Sequence, residues 1–304
     1  MSIILDFPQA LGSGIVISSS EKLPDKRKDD LYIKLNHIIE DFDHSFSRFR
    51  ADSLVSALAG SDESSVEFPE YAVPLFDIYD VMFAASGGTF TPTVAEHLVR
   101  MGYGHNFFDV PSQTAQWGTH VYRKPDAPHI LHTTQPVQLD FGAAGKGYLV
   151  DLLAAEVKQH LTQFTVNAGG DIFTTQKMTV GFENPWDFNE AVGVIELEPY
   201  TALCASAPSR RRWTALDTAN EVHHLVNALT GKSATTVAAV WSSVHSQDAP
   251  AFPTAWADAL STALFICAPE DLLLDSIPPW SCARLLSNKQ AEHSANWDGT
   301  FFRL

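Results

Sequence analysis

The chain has 304 residues, 45% of them hydrophobic, and sets 20 Lys and Arg against 36 Asp and Glu for a formal net charge of −16. That length buries roughly three quarters of the unfolded surface and fits one large domain or two small ones. The acidic balance argues against a nucleic-acid binder, whose phosphates want Lys and Arg, and no apolar run reaches the ~18 residues of a membrane span.

In chain order, the start Met1-Ser2-Ile3-Ile4-Leu5-Asp6-Phe7-Pro8 lacks a basic n-region, a long apolar stretch and a cysteine for lipid attachment. The expectation is a cytoplasmic protein, or an exported one whose leader was removed. Leu31, Leu35, Ile38, Ile39, Phe42 and Phe46 recur at helical spacing and predict an amphipathic helix over about 29–47. Further helices are expected over Glu70–Ala85, with Pro74 near the first turn, and over Thr93–Arg100, Lys146–Leu161 and Pro253–Ile266. Strands are expected at Gly14–Ser18, Gln138–Phe141, Phe164–Asn167, Thr179–Glu183, Ala191–Leu197, Thr201–Ala205, His223–Val226, Val237–Trp241 and Phe301–Leu304. Ser18–Asp29 and Ala205–Asn220 read as polar loops. Cys204, Cys267 and Cys282 are an odd number without paired spacing and read as buried thiols. No repeat or long linker divides the chain, so residues 1–304 are taken as one α+β domain.

Two segments carry possible chemistry. Leu139-Asp140-Phe141-Gly142-Ala143-Ala144-Gly145-Lys146-Gly147 runs from a predicted strand through a small-residue turn into a helix. Such a turn leaves backbone N–H groups for an anion, and Lys146 adds a positive charge beside them. The spacing is neither a Walker loop nor a dinucleotide fingerprint. Near the C-terminus, Asp258 and Thr262 stand four apart in an otherwise apolar stretch, so a helix points both at one spot. A carboxylate and a hydroxyl suit a hard cation such as Mg²⁺. The competing reading is a helix cap, with Thr262 bonded back to a carbonyl.

With Phe46-Ser47-Arg48-Phe49, Asn167-Ala168-Gly169-Gly170-Asp171 and His224-Leu225-Val226-Asn227-Ala228-Leu229-Thr230-Gly231, these segments resemble the ApbE family. Its members are FAD:protein FMN transferases, once named as thiamine-biosynthesis lipoproteins. Five motifs stand in the family's order, and the resemblance runs from about Leu11 to Phe265. It implies an α+β fold related to the T-fold, with mixed sheets flanked by helices and the flavin and metal site between them. It further implies Mg²⁺ held by Asp258, Thr262 and the carbonyl of Gly145, and FAD met by Lys146, Asp151, Asn167, Gly169, Gly170, Asp171, Thr230 and Gly231. Asp140 is expected to order the turn before Lys146. His224 becomes the candidate base for an attacking hydroxyl, although a strand histidine is as often merely packed. The partner implied is an acceptor flavoprotein with a Thr/Ser flavinylation motif, and the products are the FMN-linked acceptor and AMP.

The departures are specific. Asn227 and Ala228 replace the Asp-Pro of the family's His-x-x-Asp-Pro-x-Thr-Gly, and Thr91 replaces an Asp. Leu11-Gly12-Ser13 stands for Met-Gly-Thr, and Ala205-Ser206-Ala207 for Thr-Ser-Gly. Three other readings therefore stay open: an FAD pyrophosphatase giving FMN and AMP, an FAD-binding protein without catalysis, and, against the five ordered motifs, an α+β domain that binds neither. Arg48 is read as a partner of Asp52 or a staple at a helix end. Trp186, Trp213 and Trp241 are candidates to stack on a ring, with core packing as the default. The other histidines show no zinc spacing.

Overall fold

An antiparallel sheet organises the molecule. Among the described residues of the computed structural model (3–60, 63–104, 114–208, 211–216, 220–246, 251–273 and 277–302), it has eight strands. In spatial order they are Ile3–Phe7, Ile15–Ser19, Thr165–Ala168, Asp171–Thr174, Thr201–Ser206, Val237–His245, Trp280–Leu286 and Ala291–His293. Successive side chains of a strand point to opposite faces. Ala202 and Cys204 therefore join Val240 and Val244 in the larger core, while Leu203 joins Trp241 on the other side. That second face is covered by a smaller sheet of Met178–Asn184, Asp187–Leu197 and Thr300–Phe301. A third sheet pairs Ser64–Glu67 and Val121–Lys124 with Ala127–Thr133 between them.

The helices are α1 (Asp25–Phe46), α2 (Leu54–Ala57), α3 (Val73–Ala85), α4 (Ala95–Arg100), α5 (Gly145–Val157) and α6 (Pro253–Ile266). In α1 the apolar stripe Leu31, Leu35, Ile39, Phe42 and Phe46 is buried and the charged residues face out. Each such side chain contributes roughly 1.5–3 kcal/mol on burial. Helix α6 is different: from Pro253 to Leu260 every side chain is buried, because α5 lies on one side and the Thr201–Ser206 and Val237–His245 strands on the other. Small residues make this approach possible. At Gly147 of α5 a Cβ atom would sit 2.2 Å from the Thr254 carbonyl oxygen and 2.8 Å from Asp258 Cβ. No described helix is long and apolar enough to cross a membrane.

The architecture is α+β, as expected, with sheets flanked by helices, and α6 occupies Pro253–Ile266 as read from the sequence. Three readings are corrected. Gln138–Phe141 is not a strand: it joins no ladder, and the amides of Val137 and Asp140 donate to the carbonyls of Leu58 at 3.2 Å and Pro92 at 2.8 Å. Its alternating apolar residues are buried without joining a ladder. His223–Val226 splits into Glu221–His223 and Val226–Asn227, each in its own two-stranded ribbon. The expected loop Ala205–Asn220 contains the Arg212–Thr214 strand, and its residues 209–210 and 217–219 lie outside the described residues. Of the expected last strand, 303–304 also lie outside them. The cysteines are all free, with Cys204 and Cys282 buried but Cys267 half-buried.

Candidate functional site

A cavity of about 1600 Å³ opens between these layers, larger than the roughly 300–1,000 Å³ of a usual small-molecule pocket. Gly145, Lys146, Asp258 and Thr262 line it from α5 and α6, and Asn167, Gly169 and Gly170 from a tight hairpin. His224, Arg211, Arg48 and Asp140 line it from connecting segments.

Its floor is a charge cluster. Lys146 Nζ is in contact with Asp171 Oδ2 and lies 3.5 Å from Asp258 Oδ1. Asp258 Oδ2 also accepts the Gly147 amide at 3.0 Å, which ties α6 to the start of α5. Burial lowers the basicity of Lys146, but the charges of Asp171 and Asp258 outweigh it and hold the ammonium above its ordinary pKa. Burial, then the charge of Asp171, pushes the Asp258 carboxyl up. Two carboxylates around one ammonium leave a buried excess of negative charge, and Asp171 Oδ1 is buried with no hydrogen-bond partner among the described residues. Thr262 lies one turn beyond Asp258, its Oγ1 3.2 Å from Ser206 Oγ, which also meets Ser261 Oγ at 2.8 Å. The donors are all oxygen, the unbalanced charge is negative, and Gly145 opens α5 beside them. That set fits a hard divalent cation such as Mg²⁺, which takes one or two carboxylates and keeps several waters. Among the described residues no three His, Cys, Asp or Glu side chains form a cage of their own.

The hairpin between Ala168 and Asp171 turns through two left-handed glycines, Gly169 at φ 66° and Gly170 at φ 110°. Asn167 Oδ1 accepts the Gly170 amide at 3.0 Å and fixes the turn. A Cβ at Gly169 would come within 3.0 Å of Ser13 Cβ, so the loop that contains Ser13 closes directly over the hairpin.

His224 has a buried Nδ1 without a hydrogen-bond partner among the described residues. Burial first, then the charges of Arg211, His223 and Lys146, push its pKa down to about 3, so the ring is neutral at pH 7. Asn227 does not orient it: its Oδ1 accepts the amides of Leu229 and Thr230 at 3.0 and 3.1 Å, capping its own turn. Nearby, Tyr103 stacks on Trp213 at 4.7 Å between ring centroids.

The structure brings His224, Lys146, Asn167, Gly169, Gly170, Gly145, Asp258 and Thr262 to one cavity, and places four expected residues elsewhere. Asp151 does not face it: its carboxylate accepts the amides of Thr254 and Ala255 at 3.1 and 2.9 Å and caps α6. Burial raises its pKa to about 7. Asp171 lies beneath the floor, paired with Lys146 rather than lining the cavity. Thr230 is exposed and Gly231 half-buried in the turn after Asn227, and neither lines it. Arg48 pairs with Asp140, Nε to Oδ2 at 2.6 Å, and it is Arg50 that meets Asp52. Asp140 does order its turn, accepting the Gly142 amide at 2.7 Å. Of the tryptophans, Trp241 packs on Phe182 at 4.8 Å in the core, while Trp186 is exposed with Lys289 over its ring. Sequence reasoning missed Ser206, which strand alternation puts toward α6, and Arg211, hidden in the run Arg210-Arg211-Arg212.

Comparisons with known proteins agree with this geometry. The model of the ApbE family matches residues 14–275. The ApbE protein of Thermotoga maritima has a similar structure at 21% identity, with TM-score 0.79 and 97% of each chain covered. The flavin transferase ApbE of Vibrio cholerae is 15% identical with TM-score 0.74, covering 97% of this chain and 96% of its own. The flavinyl transferase ApbE of Pseudomonas stutzeri is 20% identical with TM-score 0.72, covering 96% of this chain and 94% of its own. At these identities the likeness establishes the fold. No curated protein matches the chain in sequence.

Proposed function

Because the chain belongs to the ApbE family, we propose that it is a flavin transferase that moves FMN from FAD to a Thr or Ser hydroxyl of an acceptor flavoprotein and releases AMP. The observation that carries the reading is the oxygen cluster of Asp258 and Thr262 at the floor of a cavity large enough for a dinucleotide, with buried Asp171 beneath them. In this reading residues 1–304 act as one flavin-transferase domain.

Asp258, Thr262 and the Gly145 carbonyl are the residues that would hold Mg²⁺, which when bound neutralises the diphosphate and stabilises the departing AMP. Lys146 holds Asp171 and Asp258 in place rather than meeting phosphate itself, since both carboxylates already engage it. The Asn167–Gly170 hairpin offers a wall without side chains at its tip, where a planar ring can approach the backbone. In the reaction the acceptor oxygen bonds to the FMN phosphorus while the phosphorus–oxygen bond to AMP breaks. His224, neutral at pH 7, takes the hydroxyl proton and passes it to solvent. An anionic diphosphate beside His224 opposes the charges of Arg211 and Lys146 and raises its basicity toward the useful range.

The test is intact-protein mass spectrometry of an acceptor-motif flavoprotein incubated with this chain, FAD and Mg²⁺, with FMN and AMP followed in the same tube. One FMN gained by the acceptor, AMP released, and neither under EDTA is the expected result. Free FMN with an unmodified acceptor would make the chain a pyrophosphatase. FAD left intact would make it a binding protein.

A further inference from the structure

Among the described residues, four cationic side chains line the cavity: Arg48, Arg50, Lys146 and Arg211. Three are neutralised. Arg48 pairs with Asp140, Arg50 with Glu40, Asp43 and Asp52, and Lys146 with Asp171 and Asp258. Arg211 has no carboxylate partner among the described residues. Its neighbour Arg212 is exposed and pairs with Glu221 at 2.9 Å, whereas Arg211, just ahead of the Arg212–Thr214 strand, is half-buried and lines the cavity. Two residues on, Trp213 stacks on Tyr103, whose ring also lies against His224. The Arg211 backbone is held by its amide, which donates to the Pro208 carbonyl at 3.0 Å.

The chain as a whole carries a charge of −16 and repels an anionic ligand at long range. A dinucleotide phosphate entering the cavity needs a local positive charge that is not already spent on a carboxylate. A guanidinium suits this role, since its planar fork meets two phosphate oxygens at once. Arg211 is also near enough to His224 that its charge ranks just after burial in keeping that ring neutral.

We propose that Arg211 is a phosphate-binding residue of this cavity, its guanidinium taking the diphosphate oxygens of FAD. The inference rests on reading the cavity as an FAD site, and it moves the phosphate contact expected of Lys146 to a residue outside the family motifs quoted above.

The test is equilibrium binding of FAD and of riboflavin, which carries no phosphate, to the full chain in Mg²⁺, read by flavin fluorescence. Arg211→Ala is expected to weaken FAD by about tenfold or more and to leave riboflavin within about twofold, with Arg211→Lys recovering part of the loss. Unchanged FAD affinity in Arg211→Ala, with the parent binding FAD, overturns the role of Arg211 and leaves the FAD site standing. Equal weakening of both ligands also overturns it, because that marks a packing role. A parent that binds no FAD removes the site and this inference together. Melting curves without ligand establish that each variant is folded, and Arg211→Gln takes the place of Arg211→Ala should that variant unfold.

Discussion

Asp171 and Asp258 stand on either side of Lys146 and share it as their cation, one carboxylate arriving from a strand and the other from a buried helix. Neither is more than 2% exposed, so the arrangement is held by electrostatics rather than by water.

Removing the shared cation should therefore be costly. Lys146→Met is expected to lower stability by about 3 kcal/mol, the range for breaking a buried ion pair. Mg²⁺ should restore part of the loss, since it supplies positive charge to the same carboxylates. Urea unfolding with Mg²⁺ and with EDTA measures both. A variant as stable as the parent would mean that the carboxylates are not both charged.

Gly147 is fixed by contact rather than by backbone freedom. A methyl group there meets the Thr254 carbonyl oxygen at 2.2 Å, so Gly147→Ala must push α5 and α6 apart. The expected cost is about 3 kcal/mol, at the upper end for overpacking. It should also weaken metal binding, because Gly145 and Asp258 lie on the two separated helices. Denaturant midpoints and Mg²⁺ titration follow the two effects, and a loss of neither would contradict the close approach.

Glu96 gives a pH dependence outside the cavity. It is fully buried, its Oε2 accepts the Ala115 amide at 3.0 Å, and burial raises its pKa from 4.5 to about 7. The folded state thus favours the protonated acid. Stability from this group is complete below the unfolded value of 4.5, falls as pH rises toward 7, and stays low above it. Glu96→Gln should gain on the parent by about 2 kcal/mol between pH 5 and pH 8, allowing for partial solvent relaxation. Asp151 titrates in both proteins, so the difference between them isolates Glu96. Parallel stability–pH curves would show that Glu96 is not buried as an acid.

His224→Asn tests the proton acceptor. The rate of FMN transfer is expected to fall by about 10²-fold or more while FAD affinity changes by less than about twofold. A matching loss of affinity would assign His224 to packing. Asn227→Asp should fold normally, because Asp keeps the acceptor that caps Leu229 and Thr230.

Local features of the site were legible and tertiary ones were not. Helix α6 was readable because Pro253 opens it and an unbroken apolar run follows, and the same helix spacing put Asp258 and Thr262 together. The two glycines after Ala168 were readable as a turn. What α6 needed at its first amides was not, so Asp151, which caps it from α5, passed for a nucleotide contact. Lys146 was recognised as part of the site, but its partner depended on strand Asp171–Thr174 coming under α5, which no local pattern reveals. Arg48 found Asp140 instead of the nearer Asp52 for the same reason. At Gln138–Phe141 the period-two pattern was present, but residues outside strands supplied the hydrogen bonds.

The burial of α6 also governs how the cavity moves. A helix buried along its whole first half has little partial opening available to it, so the amide protons there should exchange with water chiefly when the sheet-and-helix body comes apart. Asp258 is thereby as immobile as the fold. Any adjustment to guests of different size falls to lining residues outside the sheets and α-helices, such as Leu11, Gly12 and Phe49. Hydrogen exchange across the chain should accordingly divide this one cavity into a slow floor and a faster part outside the sheets and α-helices.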